Sequence, residues 1–328
     1  MKILIVKTSA LGDIIHTFPA ISELRRRYPD AQIDFVVEEA LSSLVKAHPF
    51  INTTITLNSK EWRKGSNISS FKRFIRCLRK DKYDLLFDLQ GNIKSGLVTF
   101  FSRAKNKIGF GYKTAPEWPN TLFTKNRFNP PPGKNIREDY LAILEKFFQE
   151  KIHAAKERLI LKISDHEKSE IELMATTCRA KIMVAPGSAW PNKRLPNADL
   201  QTFLHTFPKE TLFYFIFGNE EEKRDVVELQ HAFIDRAILV PKLSLPSLQN
   251  LMAKMDLVVA MDSLPLHLAA TTGVSTFGFF GPSSAQKYAP SDRYVQGVCP
   301  YTVAFEKRCP QLRTCKTGAC MKNFTFLK

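Results

Sequence analysis

The chain has 328 residues, 44% of them hydrophobic, with 48 Lys and Arg against 32 Asp and Glu. That length suggests about two domains, and the apolar content excludes an intrinsically disordered protein. A formal net charge of +16 points to an anionic partner: nucleic acid, an anionic membrane surface or a phosphorylated substrate.

The opening stretch, MKILIVKTSALGDIIHTFP, sets the pattern. The apolar run ending at Val6 predicts a core strand, and the turn KTSALGD leads into a helix that restarts at Pro19. Charges at Lys7 and Asp13 interrupt the run too early for a signal peptide, and no segment reaches transmembrane length without charges. We therefore expect a cytosolic protein with its six cysteines reduced. Asp13 is the one carboxylate of the turn and the candidate base.

Further strands are predicted at 32–38, 53–57, 83–88 and 107–110, with helices near 19–28, 39–47, 69–80 and 92–101. Residues 112–134 hold five prolines and read as an irregular loop. A helix over 136–150 closes the first half, and 151–179 is the expected linker, partly helical. The alternation then restarts. Strands are predicted at 181–185, 212–217, 237–240, 257–261 and 275–280, with helices at 198–207, from 218–222 onward, at 245–255 and at 264–272. Two α/β halves, each with a parallel sheet, place ligands in a cleft.

KTSALGD has one glycine where a dinucleotide fingerprint needs three, and no P-loop, His-Glu-x-x-His or nucleophile elbow occurs. Five other features carry chemistry. In MDSLPLH, Asp262 or Ser263 can cap a helix; its free N–H groups then either seat a phosphate or are simply capped. Lys193, in the loop PGSAWPNKRLP, is a cation able to neutralise a leaving phosphate, or a solvated lysine. Lys60, Arg63 and Lys64 surround Trp62 in an expected loop. The helix after it places Lys72, Arg73, Arg76, Arg79 and Lys80 beside Phe71, Phe74, Ile75 and Leu78, suited to an anionic membrane or to an ordinary surface. Cys299, Cys309, Cys315 and Cys320 lack any Cys-x-x-Cys pair and make a poor zinc pattern.

The stretches KTSALGDIIHTFPAISEL, DFVVEEA, EWRK, YDLLFDLQGNIKS, PGSAWPNKRLP, VPKLSL, MDSLPLHLAA and FGPS together resemble the ADP-heptose:lipopolysaccharide heptosyltransferase family, glycosyltransferase family 9, and within it type I. The resemblance implies a GT-B fold, two Rossmann-like domains with parallel sheets facing across a cleft. Residues 1–160 would bind the acceptor, and 161–328, with the cysteine-bearing tail, the nucleotide sugar. It implies inverting transfer of L-glycero-D-manno-heptose from ADP-heptose to a Kdo residue of the lipopolysaccharide inner core, with no metal or other cofactor. The enzyme would work at the cytoplasmic face of the inner membrane, touching the anionic bilayer, on a phosphorylated Kdo-lipid A acceptor.

By position, Asp13 matches the family's base and Lys193 the lysine on the donor phosphates. Ser188, Glu222, Leu243, Asp262, Ser263, Leu264 and His267 fall in the donor site. Lys7, Ser9, Gly12, Lys60, Arg63 and Lys64 fall on the acceptor side. Two departures stand out. Leu264 replaces the glycine of the family's Asp-Thr-Gly-x-x-His, and Pro116 and Trp118 lie where type I has Thr-Ala-Arg-Glu-Pro, so one acceptor-binding arginine is missing. These leave two alternatives: another acceptor, as in type II, or another nucleotide sugar. A nucleic-acid or anionic-lipid binding protein ranks last, because no stacking platform or helix-turn-helix is present.

Overall fold

A computed structural model describes the chain except residues 64–67, 153–157, 302, 323 and 325–328, and the side chains of 63 and 68. The apolar runs form strands because parallel strands covered on both faces need no polar alternation. In β1 (Lys2–Val6), Ile3, Leu4, Ile5 and Val6 are fully buried. Burying each such side chain contributes about 1.5–3 kcal/mol.

The chain divides into two compact units, Met1–Lys156 and Glu157–Lys328. In the first, β2 (Gln32–Glu38), β3 (Thr53–Leu57), β4 (Tyr83–Asp88), β5 (Ala104–Phe110) and β6 (Asn126–Phe128) join β1 in a parallel sheet of order β3-β2-β1-β4-β5-β6. β1 pairs Ile3 with Ile33 on one side and with Leu85 on the other. In the second unit, β7 (Lys181–Ala185), β8 (Leu212–Phe215), β9 (Ala237–Leu239), β10 (Leu257–Met261), β11 (Ser275–Phe280) and β12 (Tyr294–Gln296) are ordered β12-β11-β10-β7-β8-β9. Counted from the first strand of each unit, both sheets follow 3-2-1-4-5-6, the Rossmann order. Ligands of such sheets bind at the carboxyl ends of the strands, where the order reverses. That point lies between β1 and β4 in one unit and between β7 and β10 in the other.

The helix after the first turn breaks as the sequence predicts, into Leu11–Ile15 and Phe18–Arg27, with Pro19 in the first turn of the second piece. Three expectations are corrected. The loop over 112–134 contains a 3₁₀ segment, Trp118–Phe123, and the edge strand β6. The stretch 151–179 is partly helical, as expected, but most of it belongs to the second unit rather than to a linker. It carries the helix Asp165–Ala175, capped reciprocally by Ser164 and Glu167, and Leu159 N–H donates to the Thr271 carbonyl at 2.8 Å. Finally, Glu61, Trp62 and Arg63 belong to a helical turn, Ser59–Arg63, rather than a loop. Trp62 packs edge-on to Phe71 and tilted against Phe74, each with ring centres 5.2 Å away, because an indole recovers more by burial than by exposure beside cations.

Candidate active site

The turn after β1 is held by its neighbour across the switch point. Gln90, just past β4, accepts hydrogen bonds from the Thr8 and Ser9 N–H groups, both at 3.1 Å. Asp88, at the end of β4, is fully buried and accepts from the Gln90 and Gly91 N–H groups at 3.0 Å and from the Asn120 side-chain amide at 2.6 Å. Burial pushes the Asp88 carboxyl above its ordinary value in spite of these donors. Gly91 adopts φ +76°, and a Cβ there would lie 2.6 Å from the Pro116 ring, so glycine is required on both counts.

Lys7 points inward. Its Nζ donates to the Leu89 carbonyl at 3.0 Å and to the Tyr140 hydroxyl at 2.9 Å. Burial lowers its pKa, only partly opposed by the charges of Asp13 and Asp88. Asp13 is half-buried in the helix Leu11–Ile15, behind Gly12, and its Oδ2 accepts from the Ala10 N–H at 3.2 Å. Ser9, also half-buried, precedes it. Lys60 is exposed on the turn Ser59–Arg63. Of the other two predicted acceptor cations, Lys64 and the Arg63 side chain lie outside the described residues. The start of that turn is tied to Glu38, at the end of β2, which accepts from Ser59 and, at 2.6 Å, from Lys94.

In the second unit, topology joins motifs that are far apart in sequence. The loop after β7 ends in a 3₁₀ turn, Pro191–Lys193, which delivers the buried Lys193 Nζ to Asp262 Oδ2 at 2.5 Å, just past β10. The other Asp262 oxygen lies 3.3 Å from His267 Nε2. Burial opposes the Asp262 charge, but the His267 hydrogen bond and the Lys193 cation outweigh it and hold the carboxyl well below the usual range. Asp262 therefore does not cap the helix Leu264–Ala270, one of the two roles its sequence position allowed. Ser263 is the N-cap by position, and its hydroxyl turns back to the Met261 carbonyl. Leu264 is half-buried at the first helical position, ahead of Pro265.

Ser188 is buried, and its Oγ accepts from the Trp190 N–H at 3.4 Å. Glu222 is buried in the first turn of the helix Glu220–Ala232, where its Oε2 accepts from the Gly218 N–H at 2.7 Å. A Cβ on Gly187 would meet the Glu222 carboxylate at 2.4 Å, so the loop after β7 lies directly against it. Leu243 is half-buried in the loop after β9. Lys193, Asp262 and His267 thus form one contact group, while Ser188 and Glu222 flank the same loop.

Arg194 was not singled out from sequence. Its guanidinium bonds the Ser188 carbonyl at 2.9 Å and reaches Glu221 at 2.9 Å, Asp225 at 3.7 Å and Glu222 at 3.8 Å. The acidic run Glu220–Glu222, opposite a Lys-Arg pair in charge, was the available signal. Gln90 gave none beyond its place after a strand. Cys299, Cys309, Cys315 and Cys320 line one cavity of about 290 Å³ with Asn192 and Gly281. Among the described residues, no three His, Cys, Asp or Glu side chains are grouped to hold a metal ion.

The comparisons with known proteins bear on the family and the fold. The profile of glycosyltransferase family 9 (heptosyltransferase) matches residues 71–313. Lipopolysaccharide heptosyltransferase 1 of Pseudomonas aeruginosa is 26% identical, with 94% of this chain and 87% of that protein aligned. The Campylobacter coli protein of the same name is 28% identical over 88% and 86%. Among solved structures, Escherichia coli heptosyltransferase WaaC with ADP superposes with a TM-score of 0.78 at 22% identity, covering 91% of this chain and 94% of that one. Two Rossmann sheets and this likeness give the chain a GT-B fold. The chain is a glycosyltransferase and belongs to glycosyltransferase family 9, the heptosyltransferase family.

Proposed function

We propose that the protein transfers L-glycero-D-manno-heptose from ADP-heptose to the Kdo inner core of lipopolysaccharide, inverting the anomeric centre and requiring no metal. The observation that carries this reading is Lys193, a buried cation fixed at the switch point of the second sheet, where an ADP-sugar diphosphate would lie. The names of the relatives, lipopolysaccharide heptosyltransferase 1, support heptose as the sugar.

In the transfer, an acceptor hydroxyl attacks the anomeric carbon opposite the diphosphate. The new C–O bond forms as the bond to the diphosphate breaks, and the hydroxyl proton passes to the Asp13 carboxylate. ADP departs with its developing charge stabilised by Lys193, already oriented by Asp262 and so needing no reorganisation during the step. Ser188, Glu222, Leu243, Ser263, Leu264 and His267 bound the donor. Lys7, Ser9, Gly12, Lys60, Arg63 and Lys64 serve the acceptor side, and the surplus positive charge matches a phosphorylated lipid acceptor at the cytoplasmic face of the inner membrane. No described helix is long and apolar enough to cross a membrane.

Asp13→Ala should lower turnover by about 10²–10⁴-fold, the usual worth of a positioned base, and leave ADP-sugar affinity within about twofold. The check is a transfer assay of ADP-heptose onto Kdo-lipid A beside calorimetric donor binding; undiminished turnover sinks the assignment. One observation favours a second reading. Leu264, half-buried at the start of its helix, supplies a side chain where the family has glycine. A related transferase using another nucleotide sugar would reveal itself by tighter calorimetric binding of UDP- or GDP-sugars than of ADP-heptose.

A further inference from the structure

The helix Ile93–Phe101 buries Ser95, Gly96, Val98 and Thr99 against its own unit and turns Ile93, Leu97 and Phe100 outward, 46%, 46% and 58% exposed. These positions, spaced four and three apart, make one stripe on the solvent side of the helix. Alongside runs the 3₁₀ segment Trp118–Phe123. Glu117 accepts from the Ile93 N–H at 2.8 Å, Asn120 donates to the Asn92 carbonyl at 3.0 Å, and Phe123 meets Phe100 with ring centres 5.7 Å apart. Gly96 permits the approach, since a Cβ there would lie 2.6 Å from the Phe123 ring. Trp118 and Leu122, 63% and 60% exposed, extend the stripe sideways. Five large apolar side chains thus share one surface, more than scattered exposure explains.

Cations gather at the carboxyl end of this helix. Lys107 donates to the Phe100 carbonyl at 3.2 Å, Arg79 to the Phe101 carbonyl at 3.1 Å, and Arg103 to the Arg79 carbonyl at 3.4 Å. Burial lowers the Lys107 pKa, and the positive charges of Arg79 and Lys125 lower it further, so these groups lie within electrostatic range of one another. Among the described residues, Arg79, Arg103, Lys107 and Lys125 have no carboxylate partner. An apolar face rimmed by unpaired cations fits a bilayer surface carrying anionic headgroups: the rings enter the acyl boundary and the cations stay with the phosphates. A second copy of the chain would bring two positive rims together, which disfavours self-association.

We propose that the face formed by the Ile93–Phe101 helix and the Trp118–Phe123 segment docks on an anionic lipid bilayer. The amphipathic helix singled out by sequence lies nearby, Phe71 touching Phe101 with ring centres 6.3 Å apart, but its Phe74 and Leu78 are buried in the core. The docking face adjoins the predicted acceptor turn through the Lys94–Glu38–Ser59 contacts. Docking here deepens the reading of a lipid-borne acceptor and rests on it.

The test uses the full-length protein and vesicles of phosphatidylethanolamine with about one third phosphatidylglycerol, against neutral phosphatidylcholine vesicles. The wild-type protein should sediment with the anionic vesicles and be released by salt. The variant Leu97→Gln/Phe100→Gln/Leu122→Gln and the variant Arg103→Glu/Lys125→Glu, all at exposed positions, should each bind at least about tenfold more weakly. Transfer to a tail-free acceptor fragment should be unchanged in both. Wild-type vesicle binding by both variants overturns the docking face while the transferase reading stands. If the wild-type protein transfers no heptose to either acceptor, it is the transferase reading that fails. A wild-type dimer in sedimentation velocity that the triple variant converts to monomer also overturns the proposal, because the occupant is then a second copy.

Discussion

The two units share a strand order and place their chemistry at the same point of it, yet they hold charge in opposite ways. At the switch point of the first, Lys7 and Asp88 are both buried, and each is satisfied by neutral partners. Burial drives both toward their uncharged forms, the lysine downward and the carboxyl upward. At the switch point of the second, Lys193 and Asp262 are bonded directly, and the carboxyl is held firmly ionised. In the function proposed above, the first would be the site that strips a proton from an uncharged sugar hydroxyl, with the half-buried Asp13 as its carboxylate. The second would, in the same proposal, hold a fixed cation for the donor diphosphate. One topology therefore holds its buried ionisable groups on neutral partners in one copy and in a direct ion pair in the other, chosen by a few side chains at the strand ends.

The sharpest way to break this contrast is to remove one member of the charged pair. Asp262→Ala leaves the Lys193 ammonium buried without its partner and should cost the second unit about 3–5 kcal/mol. Urea denaturation followed by a probe in that unit measures it. Combining Asp262→Ala with Lys193→Met should restore most of the stability while leaving donor binding weak, since no charge is then stranded. A single variant that loses less than about 1 kcal/mol would put the pair in the class of surface ion pairs and remove the distinction between the two sites.

The sequence shows how far each half of the comparison could be anticipated. Strands β1, β2, β4, β7, β10 and β11 were legible because burial on both faces makes them largely apolar runs. The edge strands β6 and β12 were missed. Each has three residues, partly exposed, and carries no such run. Lys193, Asp262 and His267 were each visible in a motif. Their contact was not, because Lys193 and Asp262 stand 69 residues apart and only the pairing of β7 with β10 brings them together. Gln90 and Asp88 escaped notice because they act through backbone N–H groups, which any sequence supplies. Trp62 was misread for a related reason: its neighbours in sequence are cations, but its neighbours in space are Phe71 and Phe74.

A smaller effect probes the first switch point. Gln90→Ala removes the one acceptor shared by the Thr8 and Ser9 N–H groups. Thr8 is fully buried, so its amide would lose a partner with no water to replace it, at about 1–3 kcal/mol. The turn carrying Asp13 should loosen, and turnover should fall while calorimetric ADP binding, which we propose for the other unit, stays constant. Faster hydrogen exchange at Thr8 and Ser9 in the variant is the direct readout. Unaltered exchange there would mean that the turn holds its shape without Gln90.

The smallest effect distinguishes the two sites by the pH range in which it falls. Lys7 has a folded pKa below its ordinary value of 10.5, so between the two values the unfolded chain binds more protons than the folded one. Stability of the first unit should therefore rise as pH increases through that window, by at most about 1.4 kcal/mol per pH unit. Asp262 gives a slope of the same sign, but on the acid side. Its stabilising contribution is complete above its ordinary value of 3.8 and is lost as pH falls below that. Lys7→Met should flatten the alkaline slope and leave the acid limb alone, whereas Asp262→Asn should flatten the acid limb alone. Urea midpoints for both variants across the pH range give the answer. If Lys7→Met changed neither slope, burial would not be perturbing the lysine, and the two switch points would differ only in their partners.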